Sequence, residues 1–185
     1  MVVKTAPATI EDLYNEPGKA ELVGGRIVRE MSTGGLPGRI AFRIAIKLNE
    51  YIEQMGTGEV FGDNVGFTVN RLPSGRESFS PDAAYIADSR AVTMRFIQGA
   101  PTFAIEVRSE GEYTNSNSEE NRTAKRADYF AAGTQVVWDV DPLGNCVHVF
   151  RAANPDAPAT FLPGQQADAE PAVPGWRVDT GWLFR

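Results

Sequence analysis

Apolar residues follow two different periods along the chain, and each period predicts a type of secondary structure. Between residues 37 and 55, apolar residues recur at three- and four-residue steps, which is the period of an amphipathic helix. Thr9 and Asp12 form an N-cap pattern that predicts a short helix near the start of the chain. Two apolar segments on either side of Gly24-Gly25 predict a hairpin of antiparallel strands, since glycine readily adopts the positive φ of a tight turn.

The rest of the chain predicts strands with one further helix. Strands are expected over residues 59–70, 78–86, 101–107, 134–141 and 146–151, with a turn at 141–145. Residues 109–118 are polar and without periodicity, which predicts a loop, and the helix after it is expected to be capped by Ser116 or Ser118 and ended by Gly133. The Pro- and Gly-rich tail over residues 154–176 is expected to wrap the protein with short strands, with few apolar anchors beyond Phe161 and Trp176.

Length and composition indicate one folded domain spanning residues 1–185. Hydrophobic residues make up 42% and charged residues 23% of the chain, which are ordinary values for globular proteins. Cys146 is the single cysteine and lies in an apolar segment, which fits a reducing cytoplasm. The sequence has no apolar signal region and no run near the roughly 18 apolar residues that a membrane span requires. We therefore expect a soluble, cytoplasmic protein.

The strand at residues 101–107 carries a carboxylate in an otherwise apolar setting. Alternation along this strand places Glu106 on the face opposite Ile105 and Val107. A buried carboxylate is costly unless it is paired, protonated or bound to a metal ion. Two interpretations stay open at this point: an ion pair with Arg108 on the same face, or membership of a functional site.

A second acid favours the functional site. Asp82 follows Pro81, whose missing N–H confines it to an edge, a strand start or a bulge, where side chains are often redirected toward sites. Two carboxylates on neighbouring strands offer the oxygen ligands that magnesium prefers. Zinc is not expected, because His148 and Cys146 are the only histidine and thiol and cannot form a tetrahedral set of nitrogen and sulfur ligands.

A lysine completes the candidate set. Lys125 lies in the helix predicted after residue 116, where its ammonium would orient a metal-bound water or offset the charge that develops on an attacked phosphate. The alternative is a solvated lysine paired with Asp128 or Glu120. Nucleophilic triads and nucleotide-binding loops are excluded, since the chain has neither a Gly-Xaa-Ser-Xaa-Gly elbow nor a Walker or dinucleotide-binding motif.

Six sequence motifs, taken in order, resemble a known family. They are AELVGGRIV, SPDAAYI, FAIEVRS, KRADYFAAG, TQVVWDVDP and PGWRVDTGWLF. Over nearly the whole chain they resemble the Uma-type restriction endonuclease family, which is similar to the PD-(D/E)xK nuclease superfamily. The resemblance implies an α/β (α+β) fold with a restriction-endonuclease-like core, in which a mixed central sheet is flanked by helices and extended by an N-terminal hairpin and C-terminal strands.

The resemblance also implies roles for individual residues. Asp82 and Glu106 would bind a metal ion together with the main-chain carbonyl of Val107, with Mg²⁺ as the expected ion and Mn²⁺ as the alternative. Lys125 matches the helix lysine of the Uma-type pattern, whereas the wider superfamily commonly has its lysine two residues after the acid, at the place of Arg108. Glu21 matches the acid of the family's early strand and would bind a water or a second metal.

Two features depart from the family pattern. Pro37 stands where the family often has a histidine before the long helix, and the polar segment 109–121 is longer than the usual connection. The longer segment bears on how Lys125 is presented, and either change could reduce activity.

Basic residues offer contacts for a nucleic acid. Arg39 and Arg43 lie four residues apart on the long helix, where a basic stripe would follow phosphates or simply form a solvated helix edge. Arg108, Arg122 and Arg126 lie nearer the candidate site in the chain. The formal net charge of -6 opposes phosphate binding, although bound divalent cations would invert the local field.

The sequence therefore predicts a magnesium-dependent endonuclease that cleaves nucleic acid, with DNA as the expected substrate and a homodimer as the expected assembly. One alternative is a module on the same fold that binds nucleic acid or protein without catalysis. Another is a hydrolase of a small phosphodiester, which the acidic net charge favours.

Overall fold

A six-stranded mixed sheet forms the centre of the computed structural model, which describes residues 6–185. The helices are α1 (Ile10–Tyr14), α2 (Gly35–Met55), α3 (Glu110–Thr114), α4 (Ser118–Ala131) and α5 (Thr180–Leu183). The strands are β1 (Ala20–Val23), β2 (Arg26–Arg29), β3 (Glu59–Phe61), β4 (Phe67–Thr68), β5 (Ser78–Phe79), β6 (Ala83–Ile86), β7 (Ile97–Gln98), β8 (Phe103–Val107), β9 (Val136–Asp141), β10 (Cys146–Arg151), β11 (Asn154–Phe161), β12 (Gln166–Ala169) and β13 (Val173–Asp179). The expectation that no signal region opens the chain falls partly on residues 1–5, which lie outside the described residues.

The central sheet has the strand order β11-β10-β9-β8-β6-β3. Its β8–β9 pair is parallel and its other pairs are antiparallel, and α3 and α4 lie in the connection that the parallel pair requires. β1 and β2 form the predicted N-terminal hairpin, and β12 and β13 pair near the C-terminus. The predicted fold class, a mixed sheet flanked by helices with an added hairpin and C-terminal strands, is confirmed.

An apolar core lies on each face of this sheet. On one face, α2 buries Ile44 and Leu48 in a cluster that includes Trp138 of β9 and Trp176 of β13. On the other face, Tyr129 of α4 stacks on Phe79, with ring centroids 4.1 Å apart. Glu106 therefore projects toward the α4 face, because the strand residues on either side of it pack into the α2 core.

The helix ends follow the local signals. Thr9 and Asp12 form the capping box that opens α1, and α2 ends where Gly56 takes the left-handed conformation at φ +68°. Both predicted helices are confirmed, with α2 beginning two residues earlier than the sequence pattern indicates. None of the helices within residues 6–185 is long and apolar enough to cross a membrane.

The two strands predicted over residues 59–70 and 78–86 are each interrupted. β3 pairs with β6 in the central sheet, whereas β4 and β5 pair with each other beside β7 in a separate three-stranded sheet. Asn64, at φ +66°, lies between β3 and β4, and Pro81, which lacks an N–H, lies between β5 and β6. The continuous strands were therefore a wrong prediction, and the second break places Asp82 at the start of β6.

Two further predictions are wrong in detail. The polar segment 109–118 contains α3, which opens with a capping box between Ser109 and Glu112, a signal visible in the sequence. The next helix, α4, has Asn117 as its N-cap instead of the predicted serines. The tail also contributes more to the core than Phe161 and Trp176, since Ala169 and Val173 are buried as well.

Candidate active site

Glu106 lies on β8 and contacts two side chains of α4. Tyr129 donates its hydroxyl to Glu106 Oε1 at 2.6 Å, and the ammonium of Lys125 lies 2.9 Å from the same oxygen. The ion pair with Arg108 that the sequence left open is not formed, because Arg108 pairs with Asp139 and Asp141 instead. Glu106 is thus held between a hydroxyl and an ammonium at the edge of the α4 core.

Asp82 lies next to Glu106 because β6 and β8 are neighbours in the sheet. The backbone N–H of Asp82 donates to Ile105 O at 3.0 Å, and Val107 N–H donates to Asp82 Oδ2 at 2.7 Å. The main chain of Val107 therefore lies against this carboxylate. Two acids that are distant in sequence, and the main-chain segment predicted to supply a carbonyl, occupy the same end of two adjacent strands.

Lys125 reaches three carboxylates from α4. Its Nζ lies 2.9 Å from Glu106, 3.0 Å from Glu21 and 3.6 Å from Glu30. Burial alone would lower the pKa of Lys125, but these carboxylates raise it well above its ordinary value. The alternative of a solvated lysine paired with Asp128 or Glu120 is wrong, because the ammonium is enclosed and its partners lie on β1, on β8 and directly after β2.

Glu21 is buried beneath Lys125 in β1. Its Oε1 accepts a hydrogen bond from Ser80 N–H at 2.9 Å, and its Oε2 accepts one from Arg76. Burial would raise the pKa of Glu21, but Lys125 and Arg76 hold it at about 2. Glu21 is therefore ionised at neutral pH and fixes the position of the Lys125 ammonium.

Lys19 belongs to the same cluster, although the sequence analysis did not select it. Its Nζ lies 2.6 Å from Asp82 Oδ1, 2.8 Å from Asp63 and 3.3 Å from Glu30. Burial alone would lower its pKa, but the carboxylates around it, led by Asp82, raise the pKa above its ordinary value. The available signal was alternation, since Lys19 lies two residues before Glu21 and so faces the same side of the hairpin.

Negative charge outweighs positive charge in this cluster. Among residues 6–185, six carboxylates surround three cationic side chains; the carboxylates are Glu21, Glu30, Asp63, Asp82, Glu106 and Asp128, and the cations are Lys19, Arg76 and Lys125. Burial, reinforced by the nearby Asp82 and Glu21, raises the pKa of Glu106 to about 7. A hard divalent cation fits such a set, because its oxygen donors carry excess negative charge.

The raised pKa of Glu106 predicts a pH dependence of stability for the metal-free protein. The folded state favours protonated Glu106. The contribution of Glu106 to folding stability is therefore fully present below its pKa of about 4.3 in the unfolded state, and it is lost as pH rises through its folded-state pKa of about 7. Relative to Glu106→Gln, the wild-type protein is expected to lose on the order of 2–3 kcal/mol between pH 5 and 8, at about 1.4 kcal/mol per pKa unit. Urea unfolding in EDTA across this range measures the difference, and parallel stability curves would contradict it.

Three predicted phosphate-binding arginines are engaged by acids on the α4 face. Arg108 forms two hydrogen bonds with Asp139, at 2.7 and 3.0 Å, and one with Asp141 at 2.9 Å. Arg122 and Arg126 both contact Glu119 and approach Asp139. These guanidinium groups are partly enclosed, and each already has carboxylate partners.

The two arginines of α2 differ sharply from each other. Arg43 donates to the main-chain carbonyls of Trp182, Leu183 and Arg185 at 3.1, 3.2 and 2.7 Å, and so anchors the C-terminus. Arg39 is exposed on the same helix. The predicted basic stripe therefore combines an anchored guanidinium with a solvent-facing one.

Comparison with known proteins identifies the family. A model of the Uma2 family, described as "Putative restriction endonuclease", matches residues 7–181. The chain belongs to the Uma2 family. The crystal structure of a "putative nuclease" from Anabaena variabilis is similar to this Uma2 chain, with a TM-score of 0.74 and 20% identity over 96% of this chain and 98% of that one. That likeness shows a shared fold. A comparison of this chain with curated proteins found no match.

A second group of possible metal ligands lies away from the carboxylate cluster of this Uma2 chain. Asp141, Cys146 and His148 place one ligand atom each within 4.8 Å of one another, the one such group of three His, Cys, Asp or Glu side chains among residues 6–185. Cys146 and His148 alone are too few nitrogen and sulfur ligands for zinc, as predicted. Both face the same side of β10, however, and they meet a carboxylate of β9 that supplies a third ligand.

Proposed function

We propose that this Uma2 chain is a divalent-metal-dependent endonuclease that hydrolyses phosphodiester bonds of DNA. The observation that carries the proposal is the convergence of Asp82, Glu106 and Lys125 at one end of β6 and β8. Carboxylates beside a buried lysine are suited to phosphodiester hydrolysis, in which charge develops on the attacked phosphate. The description of the Uma2 family as a "Putative restriction endonuclease" supports the same reaction.

Asp82 and Glu106 are the proposed metal ligands, with the carbonyl of Val107 as a third. When bound there, Mg²⁺ or Mn²⁺ would supply Lewis-acid stabilisation of the phosphate and lower the pKa of a bound water. The fit rests on the donor set: hard oxygen atoms with excess negative charge. Lys19 and Lys125 now neutralise these oxygens, so a cation would take over part of their role.

The other side chains of the site are proposed to have separate roles. Lys125 orients the attacking water and offsets negative charge on the phosphate, because its ammonium borders Glu106 at 2.9 Å. Glu21 holds that ammonium in place from below. Tyr129 fixes the Glu106 carboxyl through its hydroxyl. Arg39, which is exposed, is proposed to contact the DNA backbone. Three further arginines would do so by leaving their carboxylate partners and binding phosphates instead: Arg108, Arg122 and Arg126.

Plasmid nicking tests the proposed function. Supercoiled plasmid is expected to be nicked in Mg²⁺ or Mn²⁺ and to stay intact in EDTA. Asp82→Asn and Glu106→Gln keep the shape of each side chain and are expected to remove this activity with the circular dichroism spectrum unchanged. Asp156→Asn, an exposed acid on β11, is the matched control and is expected to nick normally. Equal nicking by wild type and both site variants would reject the site.

The ion pairs formed by both acids favour one alternative, a binding module without catalysis. Lys19 pairs with Asp82 and Lys125 pairs with Glu106. Calorimetric titration with Mg²⁺ separates the two functions, since the nuclease is expected to bind the ion and to lose binding in Asp82→Asn. A module would bind DNA without binding Mg²⁺. Comparing the rate of plasmid cleavage with the rate of hydrolysis of a chromogenic phosphodiester tests whether the substrate is a small molecule. Sedimentation of the protein in the presence of DNA tests whether it is a homodimer, as proposed.

A further inference from the structure

The β9–β10 hairpin brings three different metal-binding side chains together. Cys146 pairs directly with Asp141 across the two strands, and His148 follows two residues later on the same face of β10. Cys146 Sγ lies 3.4 Å from His148 Nε2. Tetrahedral zinc, with bonds of about 2.3 Å to sulfur and about 2.0 Å to nitrogen, places these two ligand atoms about 3.5 Å apart.

The imidazole of His148 is oriented for this role by the neighbouring strand. His148 Nδ1 lies 2.9 Å from the hydroxyl oxygen of Thr160 on β11. A proton on Nδ1 that donates to this oxygen leaves the lone pair of Nε2 directed at Cys146. Histidines that bind metal ions usually donate a hydrogen bond from the N–H of their second ring nitrogen, which fixes the tautomer and the orientation of the ring.

We propose that Asp141, Cys146 and His148 form a zinc site with a water at the fourth position. One thiolate, one imidazole and one carboxylate suit zinc in both softness and number, and this set differs from the oxygen donors of the candidate active site. The site lies at the end of the hairpin, where zinc would tie the turn of residues 141–145 to β10. The inference goes beyond the proposed nuclease function and does not depend on it.

Asp141 already accepts hydrogen bonds, which makes its role testable. Tyr113 O–H and Gly144 N–H donate to Oδ1, each at 2.7 Å, and Arg108 donates to Oδ2 at 2.9 Å. Zinc bound to Asp141 through Oδ1 would displace one of the two donors to that oxygen. Tyr113 is the side chain best able to yield, since it is 37% exposed and lies on the short helix α3.

Cobalt and zinc titrations test the site in the full chain. Wild-type protein is expected to bind Co²⁺ with the charge-transfer absorption of one cobalt–thiolate bond, and Zn²⁺ is expected to bleach that absorption. Cys146→Ser should lose this absorption, and His148→Ala should bind zinc at least about 100-fold more weakly, beyond the range seen for ligand-supporting residues. Asp156→Asn should match wild type. Absence of the charge-transfer band in wild type, or unchanged zinc affinity in His148→Ala, would overturn the proposal.

Substitutions of two residues next to the ligands are expected to change zinc affinity in opposite directions. Tyr113→Phe removes a competing donor from Asp141 and is expected to strengthen zinc binding by about three- to tenfold. Thr160→Val removes the acceptor of His148 and is expected to weaken it by about 10- to 100-fold. Asp82→Asn should leave zinc binding at this site unchanged, which separates it from the nuclease site. Unaltered zinc affinity in both Tyr113→Phe and Thr160→Val would show that Asp141, Cys146 and His148 do not form the site.

Discussion

Replacing Lys125 with methionine is expected to lower Mg²⁺-dependent plasmid nicking by about 10²- to 10³-fold, the usual cost of removing one charge-stabilising donor from an active site. Methionine keeps the unbranched length of the lysine but has no ammonium beside Glu106. Tyr129 still holds Glu106, and Arg76 still pairs with Glu21. The effect should fall on kcat, since the ammonium acts on charge that develops during the reaction.

Metal binding distinguishes this role from a structural one. Because Lys125 competes with a cation for Glu106, Lys125→Met is expected to bind Mg²⁺ at least as tightly as wild type while cutting far more slowly. Lys47→Met is the matched control, as that lysine pairs with Glu50 on the solvent side of α2, and its activity should not change. Wild-type nicking by Lys125→Met would remove the ammonium from the mechanism.

Alternation and element type were enough to find much of the candidate site. A carboxylate between apolar neighbours identified Glu106, and a proline before an acid identified Asp82, since both arguments use only local geometry. Lys125 was less certain, because helix statistics favoured a solvated lysine and its position beside Glu106 depends on how α4 packs on the sheet. The family resemblance supplied the information that the local pattern lacked.

Other members of the cluster could not be found from local pattern. Lys19 and Asp82 are 63 residues apart, and their contact requires the β1–β2 hairpin to dock against the start of β6. Arg76 lies in the turn between the strands predicted over residues 59–70 and 78–86, yet it is buried against Glu21 and Asp128. Contacts between separate sheets depend on packing that a period of two or 3.6 residues does not encode.

The arginines of the α4 face show the same limit. Sequence position suggested that Arg108 and Arg122 would face a phosphate, since they flank the candidate site. The structure pairs both with acids, including Asp139, which alternation places on the same face as Arg108. Charge on a strand or helix shows which face is polar, but the partner of each charge depends on the neighbouring strand.

Replacing Arg76 with methionine is expected to destabilise the fold by about 3–5 kcal/mol, the range measured when one partner of a buried ion pair is removed. Arg76 pairs with Glu21 and, at 2.8 Å, with Asp128, and its guanidinium lies 5.1 Å from the centre of the Phe79 ring. Methionine retains the apolar contact and leaves both carboxylates without this cation. Urea unfolding at pH 7 measures the loss.

The pH dependence of this loss identifies its cause. Glu21, with a pKa of about 2 in the fold, contributes stability above its unfolded pKa of about 4.3 that disappears as pH falls toward 2. The difference between wild type and Arg76→Met should therefore shrink in acid, and adding Glu21→Gln to the variant should recover part of it at pH 7. Arg71→Met, an exposed arginine of the same turn, should change stability by less than about 0.5 kcal/mol. A loss that is equally large at pH 3 and pH 7 would assign the effect to the lost contact between the guanidinium and the Phe79 ring, because that contact does not titrate in this range.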